Sequence, residues 1–192
     1  TLDAGTGDIN AAGIDVDALT IVDGGTITVS GATVVDNTVT LTASSTLIDF
    51  EGNFNAADLT VAAGVSALTM DGADIDVTNA GAAVTFDNTG ALTLGQAGGN
   101  ALFAGGFDVQ GPLAGNPADD PTVTVAGTIA STNTAIDFGT GAMTIAADTT
   151  IDTGDLGAGT NTLTLGGAAT GAAFDLTLDA GQEGDITTDA IT

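Results

Sequence analysis

The sequence predicts an all-β chain wound as a parallel β-helix, a β-solenoid with about 20 residues and three short strands per turn. Three observations predict it. Apolar-Thr-apolar triplets recur along the whole chain, they return at 20-residue spacing in two separate sets, and Gly, Asn, Asp and Ser collect in the gaps between them. Alternation over three to five residues marks a short strand with one dry and one wet face. The gap residues are those that turns require.

The first set is Leu19-Thr20-Ile21, Val39-Thr40-Leu41 and Leu59-Thr60-Val61; the second is Val123-Thr124-Val125, Met143-Thr144-Ile145 and Leu163-Thr164-Leu165. Further triplets fall between them, among them Ile27-Thr28-Val29, Leu68-Thr69-Met70, Val84-Thr85-Phe86, Leu92-Thr93-Leu94 and Leu176-Thr177-Leu178. A variant carries Asp in the centre, as in Ile14-Asp15-Val16, Ile75-Asp76-Val77, Phe107-Asp108-Val109 and Ile136-Asp137-Phe138. Helix is disfavoured, because Thr, Val, Ile and Gly dominate and no 3.6-residue stripe persists. An antiparallel sandwich also spaces its strands at 8–12 residues. It has no reason to return to register at 20, and the solenoid does.

In a stacked solenoid equivalent residues of successive turns lie about 4.8 Å apart. Leu19, Val39 and Leu59 then form one buried ladder, and Ile21, Leu41 and Val61 its neighbour. Thr20, Thr40 and Thr60 stack outside. Nine or ten turns would give a rod of about 45 Å. The chain reads as one segment over residues 1–192, with an excursion at about 110–121 that holds Pro112, Pro117 and Pro121, since Pro cannot donate to a central ladder.

Charge removes most chemistries. There are 25 acids (23 Asp, two Glu) and no Lys, Arg, His, Cys, Trp or Tyr, for a net charge of -25. Without cations nothing neutralises phosphate, which excludes nucleic acid and docking on anionic lipid. Without Cys or His there is no structural zinc, haem ligation or redox thiol, and no Ser-His nucleophile pair. High charge with few aromatics belongs to disordered chains, but 43% hydrophobic residues do not. The longest uncharged stretch, Asn88 to Phe107, carries six Gly and does not read as a membrane span. The start, Thr1-Leu2-Asp3, reads as a mature or excised piece of something soluble.

Phrases such as Thr177-Leu178-Asp179-Ala180-Gly181, Thr1-Leu2-Asp3-Ala4-Gly5-Thr6-Gly7-Asp8-Ile9 and Ala91-Leu92-Thr93-Leu94-Gly95 give the chain its character. It resembles the repeat regions of large bacterial exoproteins of the filamentous-haemagglutinin and autotransporter-passenger type. The resemblance implies a secreted, right-handed parallel β-helix at the cell surface or outside the cell, serving as stalk, adhesin or fibre.

Three site chemistries are compatible with the composition. Calcium suits hard carboxylate oxygens. Its candidate ligands are Asp71, Asp74 and Asp76, then Asp119 with Asp120, then Asp148, Asp152 and Asp155; stacking would also bring Asp15 and Asp17 towards Asp36. No EF-hand loop and no Gly-Gly-x-Gly-x-Asp nonapeptide is present, so no cofactor is required. Glycosidase chemistry needs a placed carboxylate pair and rings for the sugar, and the seven Phe sit at core phase or corners; no enzyme is expected. Ice binding needs continuous files of outward Thr. The pairs Thr26/Thr28, Thr38/Thr40, Thr122/Thr124 and Thr162/Thr164 have the spacing, but Ala18, Asp58 and Ala142 interrupt them at a 20-residue return.

The ends repeat. Thr1 to Gly5 recurs at Thr177 to Gly181, each followed by Gly-Asp-Ile, and Asp17-Ala18-Leu19-Thr20 has a counterpart in Asp189-Ala190-Ile191-Thr192. The order suggests that the end of the segment reads into the start of another copy, making self the expected partner. The reading is a structural rod, with a ligand-binding module for calcium, glycan or ice as the alternative.

Overall fold

The structure, a computed structural model, describes residues 1–44, 46–111, 119–154, 161–171 and 173–192. Among these, 21 strands join one continuous parallel sheet, coiled as a β-solenoid of about 8 turns. Among the described residues the strand pairings are parallel and join one turn to the next.

Three faces run the length of the coil. The first carries Leu19 on Val39 on Leu59, with Ile21 on Leu41 on Val61, and continues through Phe86, Phe107, Ile136 and Leu163 to Ile186. The second stacks Ile9, Ile27, Ile48, Leu68, Leu92, Val123, Met143 and Ala169. The third stacks Ile14, Thr33, Phe54, Ile75, Ala101, Ile129, Ile151 and Leu178. Two long strands, Thr33–Ser44 and Phe54–Val65, pass round the corner from the third face to the first.

Both first-set ladders and the outer file Thr20–Thr40–Thr60 stand as the sequence predicts. The second set does not hold together. Val123 stacks on Met143, but Met143 then meets Ala169, while Leu163 meets Ile136 on the first face. Val123 and Met143 thus lie on a different face from the first set, whereas Leu163 shares its face. The cause is the length of the return. It stays near 20 up to Leu68, then grows, as from Leu92 to Val123 or Phe107 to Ile136. Longer turns mean fewer of them, and about 8 turns at ~4.8 Å give a rod of about 38 Å rather than 45 Å.

Where the turns lengthen, the core widens around rings. Phe86, Phe103, Phe107 and Phe138 are fully buried and meet edge to face at centroid distances of 5.0–5.8 Å. That geometry adds to their burial. Phe50 and Phe54 form a second pair at 5.0 Å. Phe174 alone of the seven is exposed, at 45%.

At the corner between the second and third faces, glycines stack because carbonyls of the turn below occupy their side-chain positions. A Cβ on Gly31 would lie 1.8 Å from the Ala12 carbonyl oxygen, one on Gly52 2.3 Å from that of Gly31, and one on Gly72 2.2 Å from that of Gly52. Gly52→Ala is therefore expected to force these coils apart and cost about 1–3 kcal/mol, in line with overpacking elsewhere. A chemical-denaturation midpoint unchanged from the parent would show that the corner yields freely.

Of the Pro excursion, residues 112–118, and with them Pro112 and Pro117, lie outside the described residues. Its flanks are described. A Cβ on Gly111 would stand 2.2 Å from the Asp119 carbonyl oxygen, so the two flanks meet at one corner, between the first face and the second.

Candidate functional site

With no cation in the chain, each acid has only other acids, amides, hydroxyls and backbone N–H groups as neighbours. The structure sorts the predicted calcium ligands into separate places. Asp71 follows the second-face strand Leu68–Met70, one turn from Asp49 and Glu51. The latter two and Asp71 form a carboxylate group in which burial first, and then the charges of Asp71 and Glu51, push the Asp49 carboxyl above its ordinary range. Asp74 and Asp76 belong instead to the third face, in the strand Asp74–Val77. Burial, with Asp74 beside it, raises Asp76 likewise. The sequence cluster is thus divided by the corner at Gly72.

Asp119 and Asp120 sit between the first and second faces. Asp120 accepts from the Thr140 N–H at 2.6 Å and from its hydroxyl at 2.8 Å. Nearby, Asp108 and Asp137 are stacked partners on the outer side of the first face. Asp137 is raised chiefly by burial, opposed by a hydrogen bond from the Gly139 N–H, with Asp108 and Asp120 raising it further. Asp87 is raised by burial and by Asp108. This group of Asp87, Asp108, Asp137 and Asp120 was not legible in the sequence, since its neighbours stand 12 to 29 residues apart.

Elsewhere the expected groupings give way to hydrogen bonds. The register that sets Asp15 on Val34 and Val16 on Val35 carries Asp17 towards Asp36, and Asn37 Nδ2 donates to Asp17 Oδ1 at 2.7 Å. One corner higher, Asn79 donates to Asp58 in the same way. Asp148 accepts the Asp175 N–H, and Asp152 the Gly154 N–H. Asp155 lies outside the described residues. Among the described residues no three acids stand close enough together to hold a metal ion. Three carboxylate oxygens, on Asp49, Asp71 and Asp76, are nevertheless buried without a hydrogen-bond partner.

Several acids shape corners. Asp3, Asp137, Asp152 and Asp179 each accept the N–H of a glycine two residues on, and those glycines (Gly5, Gly139, Gly154 and Gly181) all have positive φ. The Asp-x-Gly unit is a local corner device, in which the side chain closes the turn and glycine accepts the left-handed backbone. This accounts for the repeated ends. Thr1 to Gly5 turns off the first face and Thr177 to Gly181 off the third, so the shared phrase marks the same corner geometry at different places in the coil.

Two hollows lie on the third face. One, of about 470 Å³, is lined by Asn53, Asn55, Asp74 and Asp76 with Val34. The other, of about 350 Å³, is lined by Gly98, Gly99 and Gly127, by Thr128, Thr150 and Thr177, and by Asp148 and Asp175.

No family model, no curated protein and no solved structure matches the chain. Among the described residues no helix is long and apolar enough to cross a membrane.

Proposed function

We propose that this chain is a structural protein of the cell surface or extracellular matrix, a stiff acidic β-solenoid working as fibre, stalk or adhesin segment and joining end to end with itself. The observation that carries the reading is the continuity of the core. Apolar ladders run through nearly every turn, with 38 of the described residues buried in one cluster. Such a body resists bending and presents a long surface, which is what a stalk or fibre requires.

Joining end to end is supported by strands that, among the described residues, pair on one side alone. At one end these are Leu2–Asp3, Ile9–Ala11 and Ile14–Val16; at the other, Leu176–Asp179 and Asp185–Thr188. Ile186 and Ile191 are about half exposed there. Either a further stretch of the same chain or another copy satisfies such an edge, because each offers the same parallel pairing. The resemblance to filamentous-haemagglutinin repeats points the same way. Electron microscopy and fibre diffraction of the native material test it: the expected result is an axial filament with a ~4.8 Å repeat along its length. Isolated short particles with no axial repeat would refute it.

The buried, unpartnered oxygens of Asp49, Asp71 and Asp76 favour a second reading, in which the rod takes up calcium. Millimolar calcium is then expected to raise the melting midpoint well beyond the effect of sodium at equal ionic strength. Equal effects of the two salts would reduce calcium to general screening.

A further inference from the structure

The acids are unevenly distributed over the three faces. On the outer side of the first face the file Thr20–Thr40–Thr60 gives way to Asp108 and Asp137. The third face presents Asp15, Asp76, Asp152 and Asp179. On the second face Asp49 is the last acid in its file. Above it stand Thr69, Thr93, Thr124, Thr144 and Thr170, each in register with the next. The residue two before each of these is alanine, except Thr122. Beneath the file the inward residues from Leu68 to Ile145 are at most 4% exposed, so the strands are held from below.

This file is invisible at a fixed 20-residue return, because its members are separated by 24, 31, 20 and 26 residues. The structure restores a continuity that counting in twenties removes.

We propose that the second face between Thr69 and Thr170 is an ice-binding face. The partner that fits is a flat, uncharged, periodic array of hydroxyl groups, and ice is such an array. Parallel stacking repeats the Thr positions at about 4.8 Å, with the Thr170 hydroxyl at the last rung donating to the Met143 carbonyl oxygen at 3.3 Å. The β-branch restricts χ1, so the file is ordered before it meets its partner. The alanine file beside it stands lower than the threonines and leaves water room to approach. Charge supports the assignment: carboxylates hold their own hydration shells, and a chain of net charge -25 keeps all of them out of this file for five turns. A second copy of the chain is the competing occupant. Five rungs about 20 Å long and two outward files wide offer on the order of 200 Å² of contact, against about 800 Å² per partner in a stable interface. Adsorption to a growing crystal has no such threshold. The inference stands apart from the structural reading above, since the face is the same on a lone rod or in a fibre.

The test compares the parent chain with Thr124→Asp/Thr144→Asp, which charges the file, and with Thr40→Asp, which charges the first face. Ice-recrystallisation inhibition and thermal hysteresis are the readouts, and circular dichroism melts check the fold. The parent is expected to arrest crystal growth, the double variant to need at least tenfold more protein for the same effect, and Thr40→Asp to match the parent. Should the double variant melt early, Thr144→Ala replaces it with the same expected direction. A parent no more active than an unrelated protein of equal negative charge overturns the proposal, and so does equal loss in Thr40→Asp. Sedimentation showing a concentration-dependent dimer that the double variant abolishes would assign the face to a second copy and overturn it as well.

Discussion

Val39→Asp is expected to unfold the solenoid, while Thr40→Asp, one residue along the same strand, leaves it standing. Val39 is fully buried and stacks between Leu19 and Leu59. A carboxylate there enters an apolar ladder, and the chain has no Lys, Arg or His to pair it. Uncompensated buried charge costs about 3–5 kcal/mol, a large part of a typical domain's stability. Thr40 points outward between Thr20 and Thr60, where a substitution of this kind moves stability by about 0.5 kcal/mol. Urea denaturation of the two variants, side by side, measures the difference. Similar midpoints would mean that the inward and outward assignments of this strand are wrong.

The contrast between Val39 and Thr40 was legible in the sequence, because side-chain direction alternates with period two whatever the tertiary setting. The local pattern thus exposed strands, turns and the first ladders. Register beyond the first turns was not legible, because it depends on how many residues each corner takes up. From Val109 to Val123 the chain spends 13 residues between two strands, and no pattern in those residues says which face comes next. Spacing alone pairs Leu163 with Met143, although it stacks on Ile136. How the candidate acids group was not legible for the same reason. Neighbourhood in a solenoid runs across turns, so Asp108 belongs with Asp137, and Asp71 belongs with Asp49 rather than with Asp74. The repeated phrase Thr-Leu-Asp-Ala-Gly was visible, and its meaning was local: Asp and Gly close a corner wherever the coil needs one.

The charge that excludes so many functions also makes stability depend on pH and salt, and the direction follows from four aspartates. Asp49, Asp76, Asp87 and Asp137 all have folded-state values above the ordinary 3.8, in each case chiefly through burial, with neighbouring acids adding to it and, at Asp137, the Gly139 N–H opposing it. The folded chain therefore holds these protons more tightly than the unfolded chain does. Stability from this source is complete below pH 3.8 and is lost as the pH rises through the raised folded values. Melting midpoints are thus expected to climb as the pH is lowered from 7 towards about 4, opposite to a protein whose carboxylates are held by salt bridges. Added salt at pH 7 acts in the same direction by screening repulsion among 25 acids that have no internal cation. Asp137→Asn separates charge from hydrogen bonding, since its amide oxygen still accepts the Gly139 N–H. That variant is expected to melt a few degrees higher than the parent at pH 7 and to show a shallower rise on acidification. A parent whose midpoint falls between pH 7 and 5 would contradict the sign, and an Asn variant with the parent's slope would remove Asp137 from the account.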